Sequence, residues 1–361
     1  MEKLENKKWA IPLLGAVGGL FLGLVVTYPM LSMEVKDIPV AIVSLDESAT
    51  TPLGEKNIGA EVVEKMTGAD NKAIDWRKAG SEAELNENMD AGKYYAALIV
   101  PEDFTRANMS GEGAKIRAIV NEGKNPMVTS MLMPMITAMG ASGGMEFEME
   151  RVNKLPEGMG MKAMFLPMLS VLLTFITSMV TAFLVTTQVV ALSGTKEEKA
   201  KKYLVQLGYM FAMAFVIGFG VFGVVSWIIG TSIEYVTTAL YLTTASLALM
   251  LLVNGSVNLL GKKGMAIPGL MFMLGMGLIQ VPYEFLPTWH QILVASWEPM
   301  RFIGEGIRSV LYQGGAVWNV ASPALIVVGV LGVGLSLVSL SKKQQRIDKR
   351  EQKIRRKGGK K

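Results

Sequence analysis

The chain has 361 residues, of which half are apolar and 19% are charged, whereas average soluble domains carry about 25% charged residues. It contains no cysteine and a single histidine, which excludes disulfides, thiol nucleophiles and metal sites built from several Cys or His side chains. The charges are concentrated in residues 34–162, in one short loop and in the basic C-terminal segment. The long charge-free stretches between them are typical of a protein that lies in a lipid bilayer.

Six apolar segments approach the roughly twenty residues that a spanning helix needs. They are Trp9–Met33, Ala163–Leu192, Tyr203–Ile229, Tyr235–Leu260, Met265–Val281 and Pro323–Leu340. The apolar run of the first is too long for a cleaved signal peptide, so we expect it to stay as an anchor. Residues 291–312 are interrupted by charges and a proline, which predicts a re-entrant or interfacial element in a hairpin at 282–322.

The distribution of Lys and Arg in the short loops predicts the orientation. If residues 1–8 are cytoplasmic, the Lys-rich turns at 194–202 and 261–264 and the basic tail at 341–361 all face the cytoplasm, while the turn at 230–234 has no Lys or Arg. The predicted fold class is therefore an α-helical polytopic membrane protein of the cell membrane, with about six transmembrane helices and an inserted extracellular α/β domain. In this scheme residues 9–33 form the first helix, residues 34–162 the extracellular domain, and residues 163–340 a five-helix domain.

Patterns within residues 34–162 predict a small α/β domain on a helical stalk. Strands are expected at Ile38–Leu45, Tyr94–Val100 and Ala114–Val120, which are β-branched or bounded by turn residues. Helices are expected at Ile58–Met66, Ser81–Met89 and 125–139, followed by a glycine-rich break at 140–144 and a second stalk helix from Met145. The expected order is β-α-α-β-β and then the stalk.

Short strings in both halves of the chain carry a resemblance to a known family. They are Pro39-Val40-Ala41-Ile42-Val43 with Asp46, Asp75-Trp76, Gly92 to Phe104, Gln280, Phe285-Leu286-Pro287, Pro299-Met300-Arg301-Phe302, Gly306-Ile307-Arg308 and Gly314-Gly315. In these residues the chain resembles the YhgE/Pip (phage infection protein) family, within the type-2 ABC exporter permeases, over nearly its whole length. The resemblance implies one span, a large outer loop and five further hydrophobic segments. It also implies a permease that works as a homodimer or with a paired relative, and with a separate ATPase.

The loop between the second and third spans is the most informative short motif. Thr195 and Glu198 form a capping box, and Glu197 with Lys201 and Glu198 with Lys202 are favourable i,i+4 pairs. A short charged helix along the inner face is therefore expected, either as a plain positive-inside loop or, as the resemblance implies, as a coupling helix that docks on a cytosolic ATPase. Its residues are Thr195, Lys196, Glu197, Glu198, Lys199, Lys201 and Lys202.

Polar side chains inside the apolar segments are candidates for a substrate path or for contacts between helices. A stripe at Thr174, Thr177, Ser178 and Thr181 favours helix contacts, whereas Gln188, Asn254 and Asn258 are candidates for lining a path.

Charged residues of alternating sign form a second group of candidates. Glu298, Arg301, Glu305 and Arg308 fall on one stripe of a helix that begins near Pro299, and Glu284 is a further candidate partner. The stripe is either a self-paired hairpin or an external gate over the path. Met127, Met131, Met133, Met135 and Met139 form an adaptable apolar face.

Two functions remain open from the sequence. The first is the permease subunit of a type-2 ABC-like exporter, which moves a hydrophobic or amphiphilic substrate out of the cell. The second is a cell-surface receptor or scaffold, binding a phage component or the cell wall, for which the spans are an anchor. No nucleotide-binding G-x-x-x-x-G-K-[ST] motif is present, so any ATP would be used by a partner. We expect no enzymatic activity, no cofactor and no metal in this chain, and no nucleic-acid partner, because the tail has no interleaved aromatic residues.

Overall fold

The computed structural model describes residues 17, 20–21, 24–29, 32–51, 54–69, 71–143, 145–155, 159, 162–229 and 235–341. The predicted cytoplasmic segment 1–8 and the basic tail beyond residue 341 lie outside these residues. So does most of the predicted first span at 9–33, of which residues 24–29 are helical.

The region after residue 34 is an α/β domain. Its elements in chain order are β1 (Ile38–Ser44), β2 (Ala49–Thr51), β3 (Gly54–Lys56), α1 (Ile58–Thr67), β4 (Ile74–Lys78), α2 (Glu82–Asp90), β5 (Ala96–Val100), α3 (Phe104–Ser110), β6 (Lys115–Asn121), α4 (Pro126–Gly143) and β7 (Glu146–Val152). Side chains cap two of these helices: the Asn57 side chain accepts from the Ala60 amide, and the Ser81 side chain accepts from the Glu84 amide.

Five strands form one mixed sheet in the order β4-β1-β5-β6-β7, and β2 pairs with β3 in a small hairpin. The pairings of β1 with β4 and β5 and of β6 with β7 are parallel, while β5 and β6 are antiparallel. All residues of β5 are buried, as expected for a central strand that is covered on both faces.

The prediction of a second stalk helix from Met145 is wrong. Glu146–Val152 is strand β7, in which Phe147 and Met149 alternate with glutamates and turn toward the apolar cluster below the sheet. The predicted break at 140–144 is also misplaced, because α4 runs to Gly143 and packs against β6 and β7. The predicted order β-α-α-β-β missed β2, β3, β4 and α3.

The rest of the described chain is mostly helical. It contains α5 (Lys162–Leu184), which continues in a π-helical turn (Val185–Val189), α6 (Lys196–Ile229), α7 (Tyr235–Leu260), α8 (Ala266–Gly275), α9 (Pro299–Tyr312) and α10 (Ser322–Ser341). Within the described residues, four stretches are long and apolar enough to cross a membrane: Lys162–Val189, Lys196–Ile228, Tyr235–Ile279 and Ser322–Ser341. Four of the six predicted spans correspond to α5, α6, α7 and α10.

The stretch Tyr235–Ile279 contains two predicted spans because the chain reverses at Gly261. This residue has a φ of 66°, which glycine adopts without strain, and Gly264 then packs so closely on the Ser256 carbonyl that a Cβ there would overlap it. The returning arm is α8 followed by a 3₁₀ turn at Met276–Ile279. At helical rises it covers about 23 Å, less than the roughly 30 Å hydrocarbon core of a bilayer.

The α/β domain packs directly on one end of the bundle. One apolar cluster runs from the sheet through α4 to Leu274, Leu278, Phe285 and Val294. At the same end Tyr312 donates to the Ala163 carbonyl at the start of α5 (2.8 Å). The amphipathic helix α9 lies there too, against α5, α7 and α10.

The Lys-rich turns lie at the other end of the bundle. Gln206 of α6 donates to the Val190 carbonyl (2.5 Å), just beyond the π turn that ends α5. The Gln206 side chain also accepts from Asn258 (2.9 Å), two residues before the end of α7. The start of α6 at 196–202 and the turn at 261–264 are therefore separated from the α/β domain by the length of α5, about 35 Å at 1.5 Å per residue.

Candidate functional site

A charged cavity of about 230 Å³ lies at the junction of the α/β domain and the helical bundle. Four of the charged candidates, Glu284, Arg301, Glu305 and Arg308, line it together. The α/β domain contributes Tyr95 and Lys124, and Gln313 follows α9 on the bundle side. The junction thus brings together side chains that are far apart in the sequence.

Arg301 is held by several partners at one wall of the cavity. Its Nε donates to Glu305 (2.8 Å), one helical turn along α9, and a terminal nitrogen donates to the Ala295 carbonyl (2.8 Å). Its guanidinium also lies over the Tyr283 ring, 4.3 Å from the centroid. The predicted pairing along the stripe is therefore present between Arg301 and Glu305, and it neutralises both charges.

The α/β domain adds Lys124, which the sequence-based reasoning missed. Its ammonium donates to the Lys93 carbonyl (2.8 Å) and lies 4.1 Å from the centroid of the Tyr95 ring. Burial lowers the pKa of Lys124 to about 8, although the charges of Glu284 and Glu305 act in the opposite direction. The Tyr95 hydroxyl donates to Glu284 (3.3 Å), and burial, followed by the Glu284 charge, raises the Tyr95 pKa well above its usual value.

Glu298 is separate from the cavity, although it belongs to the same predicted stripe. It is fully buried and caps α9, accepting from the amides of Met300 (2.7 Å) and Arg301 (3.2 Å). Its other carboxylate oxygen has no hydrogen-bond partner among the described residues, and the carboxylate packs so closely on Gly275 that a Cβ there would lie 2.5 Å from it. Helix capping accounts for Glu298 in this structure.

Asn254 and Asn258 belong to a polar network between helices. The Asn254 amide donates to Thr186 (2.8 Å) and Gln206 (2.9 Å), and its oxygen accepts from Asn258 and Ser336 (both 3.1 Å). The network therefore joins α6, α7, α10 and the π turn after α5. Three of the four bonds, those to Thr186, Gln206 and Ser336, run between helices, so their first role is to hold these helices together.

The other polar candidates of the spans lie outside this network. Gln188 is exposed on the π turn. On the α5 stripe Thr174 and Ser178 are buried and find no hydrogen-bond partner within the part of the chain that the structure describes, while Thr177 donates to the Leu173 carbonyl (2.6 Å).

The predicted coupling helix is not a separate helix. Lys196–Lys202 is the first part of the continuous helix α6, because no helix breaker separates Lys202 from Tyr203. The capping box is confirmed: Glu198 accepts from the Thr195 amide (2.7 Å), and the Glu198 amide donates to Thr195 Oγ1 (3.3 Å).

Of the two predicted ion pairs in this segment, one is present. Glu197 and Lys201 lie 2.9 Å apart, whereas Lys202 donates to the backbone and side chain of Ser193 instead of pairing with Glu198. Lys196 and Lys199 also lie in these first turns. The segment is thus a capped, charged helix end at the far end of the bundle.

The α/β domain has a further open region, an apolar groove of about 600 Å³. It is lined by Trp76, Phe104, Met66 and, from the end of α4, Met139. The crevice at the carboxyl ends of β1 and β5, where ligands bind in many α/β folds, is instead filled by Asp46, which accepts from the Gly59 amide and from Thr105.

Comparisons with protein-family models, with curated proteins and with solved structures gave no match to this chain. Within the described residues, no group of three or more His, Asp or Glu side chains is placed to hold a metal ion.

Proposed function

We propose that the chain is the permease subunit of a type-2 ABC-like exporter, which moves a hydrophobic or amphiphilic substrate out of the cell with a separate ATPase. The observation that carries the proposal is the charged junction cavity, where four of the charged candidates for a pathway or gate converge beneath the α/β domain. In the proposed orientation the α/β domain and the cavity are extracellular.

The far end of the bundle supports a docking role for residues 195–202. A capped helix end with two exposed glutamates and several lysines offers a rigid charged surface. It is continuous with α6, so a movement of this end would be transmitted along a helix of 34 residues. We propose that the cytosolic ATPase binds here, and that two copies of the chain or a paired permease complete the path.

The test is co-purification of the full-length chain from the membranes of the producing cell in a mild detergent. We expect an ATPase subunit to accompany the wild type and to be lost from Glu197→Gln/Glu198→Gln. The matched control is Glu61→Gln/Glu64→Gln, which neutralises two exposed glutamates on α1 at the other end of the molecule. Absence of an ATPase from the wild-type complex, or its equal loss from both variants, would contradict the proposal.

A receptor or scaffold is the second candidate, and the apolar groove on the α/β domain is the observation that favours it. A groove of about 600 Å³ lined by Trp76, Phe104 and Met66 is suited to an apolar group of a partner. Deletion of residues 40–120 should abolish a receptor function, whereas Glu197→Gln/Glu198→Gln should leave it intact. An ATP-driven exporter should lose activity with the Glu197/Glu198 variant.

A further inference from the structure

The junction cavity carries more positive charge than its own carboxylates neutralise. Among the described residues, Arg301 and Glu305 form an ion pair, which leaves Lys124, Arg308 and Glu284 as the other charged groups of the lining. No carboxylate oxygen of a described residue lies within 4.0 Å of a side-chain nitrogen of Lys124 or Arg308. Two cations and one carboxylate therefore face the cavity without direct ion pairing.

The two unpaired cations are only partly satisfied by other groups. Arg308 donates from one terminal nitrogen to the Ile279 carbonyl (2.6 Å), and Lys124 donates to the Lys93 carbonyl. A guanidinium has five N–H donors and an ammonium has three, so most of their donor capacity is not used by these bonds. Withdrawing such charges from water is unfavourable unless a counter-charge or a hydrogen-bond acceptor compensates.

We propose that the junction cavity binds a phosphate group between Lys124 and Arg308. An Arg fork presents paired donors to phosphate oxygens, and a Lys adds a mobile point charge. The cavity volume of about 230 Å³ is the volume that about eight molecules occupy in liquid water. It therefore suits a phosphate group with its bound water rather than a drug-sized molecule. The phosphate could be free in solution or part of a lipid headgroup.

A phosphate bound at this site would also connect the α/β domain to the helical bundle. Lys124 follows strand β6 of the α/β domain, while Arg308 lies on α9 of the bundle. An anion held by both would therefore bridge the two parts of the molecule at their contact. The inference does not require the chain to be an exporter; only the identification of the phosphate with the headgroup of an exported amphiphile rests on the proposed function.

Binding is tested by calorimetry on the purified full-length chain in a neutral detergent. The probes are inorganic phosphate, dihexanoyl phosphatidic acid and, as an analogue without phosphate, dihexanoyl glycerol. We expect Lys124→Gln and Arg308→Gln each to weaken binding about tenfold or more, the range for a hydrogen bond to a charged group. We expect Glu284→Gln to strengthen it, because this change removes the carboxylate that repels the anion.

The matched control is Arg106→Gln, which removes an exposed cation whose only ion pair among the described residues is a 3.9 Å contact with Glu47. It should leave the affinity unchanged. Because Glu284→Gln and Lys124→Gln act in opposite directions, a general loss of folding cannot reproduce the pattern. If inorganic phosphate binds and the variants have these effects, the natural ligand is a free phosphate anion. If only phosphatidic acid binds and the variants have the same effects, the natural ligand is a lipid headgroup.

Three results would overturn the inference. The first is that the folded wild type binds neither phosphate nor phosphatidic acid. The second is that dihexanoyl glycerol binds as tightly as phosphatidic acid. The third is a pattern among the variants that differs from the expected one: Lys124→Gln or Arg308→Gln binds as tightly as the wild type, Arg106→Gln loses as much affinity as Lys124→Gln, or Glu284→Gln weakens binding.

Discussion

Replacing Asn254 with alanine tests whether the polar network holds the helices together. The Asn254 side chain donates two hydrogen bonds, to Thr186 and Gln206, and accepts two, from Asn258 and Ser336. Interhelical hydrogen bonds in membrane proteins contribute about 0.6 kcal/mol each on average and about 1.7 kcal/mol at most. The variant should therefore lose about 2 kcal/mol of unfolding free energy, and more if the buried partners stay unpaired.

The assay is an unfolding titration with a denaturing detergent in mixed micelles, followed by tryptophan fluorescence. Gln188→Ala is the matched control, because Gln188 is an exposed polar residue on the π turn next to the network. It should change the unfolding free energy by less than about 0.5 kcal/mol. If Asn254→Ala is as stable as Gln188→Ala, the network does not hold the helices together and Asn254 is better regarded as a path residue.

Two further predictions concern the junction. Gly123→Ala should destabilise the docking of the α/β domain by about 1–3 kcal/mol, because a Cβ at Gly123 would overlap the Tyr312 backbone carbonyl. Faster proteolysis of the α/β domain would show this loss of stability. The control Gly208→Ala, which lies in open space on α6, should not change the proteolysis rate. Phosphate affinity should fall as pH rises through about 8, because Lys124 then loses its charge. Burial lowers the pKa of Lys124 in the folded protein to about 8, while Glu284, Glu305 and Arg308 face it. A phosphate affinity that stays constant from pH 7 to pH 9 would contradict the role of Lys124.

Local patterns predicted those elements in which the residue types themselves indicate burial or a helix end. The buried run at Ala96–Val100 and the helices after Asn57 and Ser81 were recognisable from the sequence, and so was Tyr235–Leu260. Strand β7 was not, because glutamate and methionine favour helices, and pairing with β6 overrides that preference. The charged start of α6 was misread as a separate helix, since a composition change marks a membrane boundary and not a helix end.

The candidate site was predictable only in part, for a related reason. Arg301, Glu305 and Arg308 share one face of one helix, so their spacing alone brings them together. Lys124 and Tyr95 reach the same cavity only because the sheet docks on the bundle, and nothing near them in the sequence marks that contact. The same spacing argument grouped Glu298 with the others, although it caps the helix and lies outside the cavity.

The most direct test of the account is which side of the membrane each end of the bundle faces. Because the chain has no native cysteine, the single substitutions Glu61→Cys in the α/β domain and Lys201→Cys at the far end of the bundle can each be probed with a membrane-impermeant maleimide. We expect labelling of Glu61→Cys on intact cells and of Lys201→Cys only in inverted vesicles. Labelling of Lys201→Cys on intact cells, with Glu61→Cys protected, would contradict it.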